Sequence, residues 1–173
     1  MRIEQLKTDK RYQIPATVVT ISLTLLFPFI VHTIGGPAAG ARWLPLFYAP
    51  FIAVVLFHPA VGIVAGLLTP FLNHWLTGAP PWGTAVLLSV ELVIFATTSH
   101  LLLRRWPRLW MAAPLAYLLA LLTAVLLLTL MPGILVPAAP GQFFTVTLRQ
   151  AWPGMFVLLL LNGLMVRGIN RGR

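Results

Sequence analysis

The chain of 173 residues is 59% hydrophobic and only 9% charged, a balance that excludes an ordinary soluble globule and makes the membrane its natural solvent. A formal charge of +9 does not read as nucleic-acid binding, because the 12 Lys and Arg residues sit at chain ends and between apolar runs and form no basic face. Cysteine is absent, which excludes disulfides and thiolate metal sites.

A helix needs roughly 20 apolar residues to cross ~30 Å of hydrocarbon. In chain order the predicted spans are 14–34, 44–57, 59–76, 84–103, 111–131 and 151–166, which makes an all-α integral membrane protein with one membrane domain. The second stretch would rise only ~21 Å as a helix, short enough to be re-entrant. Charge decides the matter. If it spans, Arg2, Lys7, Lys10, Arg11, Arg104, Arg105, Arg108, Arg167, Arg171 and Arg173 share one side and only Arg42 and Arg149 face the other, 10 against 2. If it does not, the division is 5 against 7, contrary to the bias that holds cations on the cytoplasmic side. The reading is therefore six transmembrane helices in the cell (plasma) membrane, with both termini cytoplasmic.

The basic start, the first apolar run and Ala39-Gly40-Ala41 have the outline of a secretory signal with its cleavage site. That run exceeds the ~7 to 15 residues of a signal core, and its loss would leave an odd number of spans, so the first span is expected to stay. The outer connections are then 35–43, 77–83 and the long 132–150, where the unusual residues collect. Long connections on a rigid scaffold tend to carry binding groups, so binding is expected at the outer end.

Glu91 is the one acidic residue inside a span, about 10 Å below the outer end of the fourth helix. A carboxylate in hydrocarbon marks a functional site with a partner by default; the plainer reading is a protonated group hydrogen-bonded to a neighbouring helix. Asn73, His74 and Trp75 near the outer end of the third helix are expected at similar depth, so that Asn73 and Glu91 line one cavity. Interhelical hydrogen bonding by Asn73 and interfacial anchoring by Trp75 are the alternatives. Arg42 and Arg149, beside Trp43 and Trp152, suit an anionic ligand or, equally, lipid headgroups. Asn162 reads as a group holding helices together. The four histidines show no close ligand pairing, so no metal site is expected.

Small residues recur at helical spacing: Gly62 and Gly66, then Ala116, Ala120 and Ala124, and more weakly Ala16, Thr20 and Thr24, the last set suited to a partner subunit. There is no Gly-x-Ser-x-Gly elbow, no carboxylate pair, no His-Glu-x-x-His and no phosphate loop ending in Lys. The chain is expected not to be an enzyme, to hold no cofactor and to leave any ATP hydrolysis to partners.

The stretch Leu44-Pro45-Leu46-Phe47-Tyr48-Ala49-Pro50, the run 59–66, Leu68-Thr69-Pro70-Phe71-Leu72-Asn73 with Leu76-Thr77-Gly78-Ala79-Pro80-Pro81, and Val90-Glu91-Leu92 resemble the substrate-binding (S) subunits of energy-coupling factor (ECF) transporters, nearest to the pantothenate-type branch. The resemblance implies vitamin or micronutrient uptake. Ligand would be caught in an outer cavity capped by 35–43 and lined by Asn73, Trp82, Glu91 and the 132–150 connection. The subunit would then dock on a membrane coupling subunit served by two ATPases. The family's first-helix Ala-x-x-x-Ala docking pattern appears here as Ala16-x-x-x-Thr20-x-x-x-Thr24, a departure that weakens the docking assignment. The alternative is an independent small-molecule carrier that uses Glu91 for proton coupling. A structural membrane protein, in which Glu91 and the arginines only hold helices, is the third.

Overall fold

The computed structural model describes residues 10–36 and 39–171. Among these residues seven helices follow in order: α1 (Lys10–Gly35), α2 (Ala39–Trp43), α3 (Pro45–Leu56), α4 (Pro59–Thr77), α5 (Trp82–Arg105), α6 (Ala112–Leu130) and α7 (Pro140–Arg171). Among the described residues six stretches are long and apolar enough to cross a membrane, the second joining α2 and α3 as Ala39–Leu56. No strand occurs among the described residues. The chain is an all-helical, multi-pass membrane protein. Successive spans alternate in direction, so the connections fall at two ends. The start of α1, the α3–α4 turn, the α5–α6 connection and the end of α7 form a terminal end; the α1–α2, α4–α5 and α6–α7 connections form a distal end. Arg2, Lys7 and Arg173, counted above for topology, lie outside the described residues, as do Pro37 and Ala38 of the expected cap.

The second span begins five residues earlier than expected, and proline chemistry explains how. Pro45 has no N–H to give the preceding turn, and its ring bars the residue before it from helical geometry. Leu44 accordingly adopts φ 51°, ψ 42°, a left-handed conformation that costs a non-glycine residue about 1–2 kcal/mol. The Phe47 N–H donates to the Leu44 carbonyl at 3.1 Å. That leaves the Trp43 carbonyl without its usual helical donor, and the Tyr48 hydroxyl donates to it instead. The break lets 39–43 run as helix before the bend. What was expected to be a connection over 35–43 is therefore largely helical, with Ala39 buried.

The last span also differs from expectation. It was placed at 151–166, but α7 starts at Pro140, so most of the expected long loop is helix. Proline is at home in a first helical turn. Phe143, Phe144 and Leu148 then face the core, while Gln142, Thr145 and Arg149 point outward. At 32 residues α7 extends ~48 Å, longer than the hydrocarbon, so it can carry Arg149 on its distal part. The true α6–α7 connection is only 131–139. It folds back over the bundle, with Leu135 and Val136 against Leu87, Ala124 and Leu128. Gly83 makes room for it: a Cβ there would run into the Leu135 carbonyl oxygen.

Small residues set the helix spacing, since within lipid the gain comes from close backbone packing. A Cβ on Gly62 would come within 2.6 Å of the Pro50 carbonyl, and one on Gly66 within 2.9 Å of the Leu92 Cβ. Ala116, Ala120 and Ala124 are fully buried on α6, which packs along α5. The centre holds an aromatic cluster. Phe47 meets Phe95 and Tyr117 edge-on, at ring distances of 5.0 and 5.2 Å.

On α1 the stripe of Ala16, Thr20 and Thr24 faces inward, at 7%, 4% and 0% exposure. Ala16 packs on Ala53 of α3 and Val61 of α4. The Thr20 and Thr24 hydroxyls donate to the carbonyls four residues back, at 2.7 and 2.6 Å. The stripe assigned to a partner subunit is thus spent on this chain's own packing.

Candidate functional site

Polar groups gather at three places. The first lies at the distal end, where α2 meets α7. Gly154 is what allows the meeting: a Cβ there would stand 2.7 Å from both the Trp43 carbonyl carbon and the Leu44 Cγ. With the two backbones this close, Arg42 in the last turn of α2 comes beside the distal turns of α7. Arg42, Val146, Arg149, Gln150 and Trp152 together line a pocket of about 480 Å³. Both guanidinium groups are exposed, and neither has a carboxylate partner among the described residues. Of the chain's three acidic residues, Glu91 is buried in α5 and Glu4 and Asp9 precede α1. Two planar cations lining one pocket, with no carboxylate partner among the described residues, suit a carboxylate or phosphate, which arginine binds through paired N–H donors. Trp43 contributes backbone to the α2–α7 contact; the tryptophan in the pocket lining is Trp152.

The second place is the α4–α5 corner, also distal. Gly78 ends α4 in a left-handed conformation, φ 74°, which glycine adopts without penalty. The chain then turns through Pro80 and Pro81 into α5. His74 Nδ1 lies 2.8 Å from the Pro80 carbonyl; because a carbonyl only accepts, Nδ1 carries the proton. The ring of Trp82 packs on Phe71 at 5.3 Å and on His74 at 5.4 Å. Asn73 accepts from the Thr77 hydroxyl through its backbone carbonyl at 2.8 Å. These contacts brace the corner.

The third place is Glu91, nine residues into α5 and so ~14 Å from its start. It is 6% exposed and has no hydrogen-bond partner among the described residues, so the bond to a neighbouring helix that the plainer reading required is not seen there. Leu92 and Phe95 of the core cluster follow it on α5.

The helix register separates this carboxyl from the α4–α5 corner. The Ser89 hydroxyl donates to the Leu67 carbonyl at 3.0 Å, and Gly66 abuts Leu92. Glu91 is therefore level with Gly66 and Leu67, and Asn73 stands about 10 Å further toward the distal end. Similar depth was expected for Asn73 and Glu91, and the antiparallel register of α4 and α5 corrects it. The structure brings Arg42 and Arg149 together; it does not bring Glu91 to Asn73 and Trp82.

Sequence reasoning passed over Val146 and Gln150, since both were read as loop. The helical spacing of Val146, Arg149 and Gln150, at i, i+3 and i+4, was the signal that places them on one face. Comparisons with family models, curated proteins and solved structures return no match to this chain.

Proposed function

We propose that the chain is a substrate-binding membrane subunit of the ECF type, which captures a small anionic, vitamin-like molecule at the distal end. It would then pass the ligand inward through a coupling subunit driven by two ATPases. The observation that carries this reading is the pairing of Arg42 and Arg149, 107 positions apart in sequence, around one pocket with no carboxylate partner among the described residues. The 10-to-2 division of cations supports a cytoplasmic terminal end and an outward distal end in the cell membrane. A coupling subunit would meet α1 on its lipid-facing side, where Val18, Val19 and Phe29 are exposed, because the Ala16, Thr20 and Thr24 stripe is buried.

Native mass spectrometry of the detergent-purified chain after a mild wash tests the reading. A retained mass in the range of an anionic vitamin, or one acquired from a panel of carboxylate vitamins, is expected. Arg42→Ala and Arg149→Ala should each weaken retention on the order of ten-fold, the value of a charged hydrogen bond. No acquired mass, or retention indifferent to both substitutions, overturns it.

The buried Glu91, without a hydrogen-bond partner among the described residues, favours a second reading, an independent proton-coupled carrier. In proteoliposomes with a proton gradient and no partner subunits, that reading expects uptake which Glu91→Gln abolishes while binding persists. The S-subunit reading expects no uptake.

A further inference from the structure

At the terminal end, the α5–α6 connection shapes a groove of about 1140 Å³ lined by Leu102, Arg105, Trp106, Pro107, Arg108, Leu109 and Leu115. We propose that this groove is a binding site for an anionic phospholipid, independent of the distal pocket and of any transport reading.

The polar half of the site is built by the last residue of α5 and the connection after it. Arg105 sits 5.7 Å over the ring of Trp106, a cation–π contact that holds the guanidinium in place. Arg105 and Arg108 are exposed and have no carboxylate partner among the described residues. The backbone beneath them is pinned. Trp106 N–H donates to the Leu102 carbonyl at 2.8 Å, Leu109 N–H to the Trp106 carbonyl at 3.0 Å, and Ala112 N–H to the Leu109 carbonyl at 3.3 Å. The Asn162 Nδ2 of α7, fully buried, donates to that same Leu109 carbonyl at 2.9 Å. A loop fixed this way loses little freedom on binding.

The apolar half decides the ligand. Leu115 opens a line of exposed leucines, Leu119, Leu122 and Leu126, along one face of α6, while the alanines of the opposite face pack inward. From Leu115 to Leu126 the line rises ~16 Å, close to the ~15 Å of hydrocarbon in one leaflet. Trp106 and Trp110, both exposed, mark the interface level at its foot. A phosphate on the arginines thus places an acyl chain along the leucines, which a free phosphate would leave unused.

The test titrates the detergent-purified full chain with dioleoyl phosphatidylglycerol, dioleoyl phosphatidylcholine and inorganic phosphate, and reads occupancy by native mass spectrometry. Phosphatidylglycerol should be retained roughly ten- to thirty-fold better than phosphatidylcholine, the worth of two interfacial cations. The Arg105→Ala/Arg108→Ala pair should erase that preference. Arg108→Lys should keep most of it, and Arg167→Ala, a cation outside the groove, all of it. Leu115→Gln should lower phosphatidylglycerol retention several-fold. Equal retention of the two lipids overturns the proposal. So does displacement of phosphatidylglycerol by millimolar phosphate with Leu115→Gln silent, which would assign the groove to a free anion.

Discussion

The two basic pockets, one at each end of the bundle, are built in opposite ways. At the terminal end Arg105, Trp106 and Arg108 are neighbours in sequence, and the end of α5 with the connection that follows supplies most of the lining. At the distal end Arg42 and Arg149 come from different spans and meet only because Gly154 lets α7 touch the bend at Leu44. A local pocket survives small errors in helix packing. A pocket assembled across spans is only as sound as the contact that assembles it.

Gly154→Val strikes that difference hardest. The added side chain has nowhere to go against the Trp43 backbone and Leu44, so a loss of about 3 kcal/mol is expected. In thermal unfolding in detergent the midpoint should fall, and distal ligand retention should vanish while the terminal lipid preference stays. Loss of both together would mean that the two ends are not independent. Asn162→Leu is the converse. It removes the bond to the Leu109 carbonyl, at a cost of about 1–2 kcal/mol, and should loosen the terminal groove only. A several-fold drop in lipid preference with distal binding intact is the expected readout.

Tyr48→Phe leaves the Trp43 carbonyl at the bend without its donor, costing about 1 kcal/mol. Distal retention should weaken by a few-fold at most, measured beside an unchanged terminal preference. Glu91→Leu should matter least to either pocket. Replacing a buried carboxyl that has no hydrogen-bond partner among the described residues by an apolar side chain of similar size is expected to raise stability by about 1 kcal/mol or less. A fall in the unfolding midpoint would show that the carboxyl has a partner in the working protein.

Much of this could be read from the chain before any fold was known. The six spans follow from the apolar runs, and the charge division selects six over five. The alanines of α6 and the glycines of α4 were legible as packing residues, because spacing by four fixes a helix face regardless of its neighbour. Hydropathy failed where it met amphipathic residues. The first turns of α7 carry Gln142, Thr145 and Arg149 among aromatics and so resemble a loop, although their apolar members are held by the core. The stripe on α1 was visible as a stripe, but its facing could not be read: Ala16 meets Ala53 and Val61 of its own chain.

The sequence by itself determined the solvent of this protein, the number of its crossings and the isolation of one carboxyl within them, since these depend on composition and length. Which residues face one another was decided only by the tertiary structure. The Leu44 bend, the seat of Gly154 on the Trp43 backbone and the register of α4 on α5 join Arg42 to Arg149 and set Asn73 well away from Glu91. The reason is physical. In lipid every helix is apolar on all sides, so hydrophobicity no longer marks the inner face, and the fit of small residues chooses the neighbours.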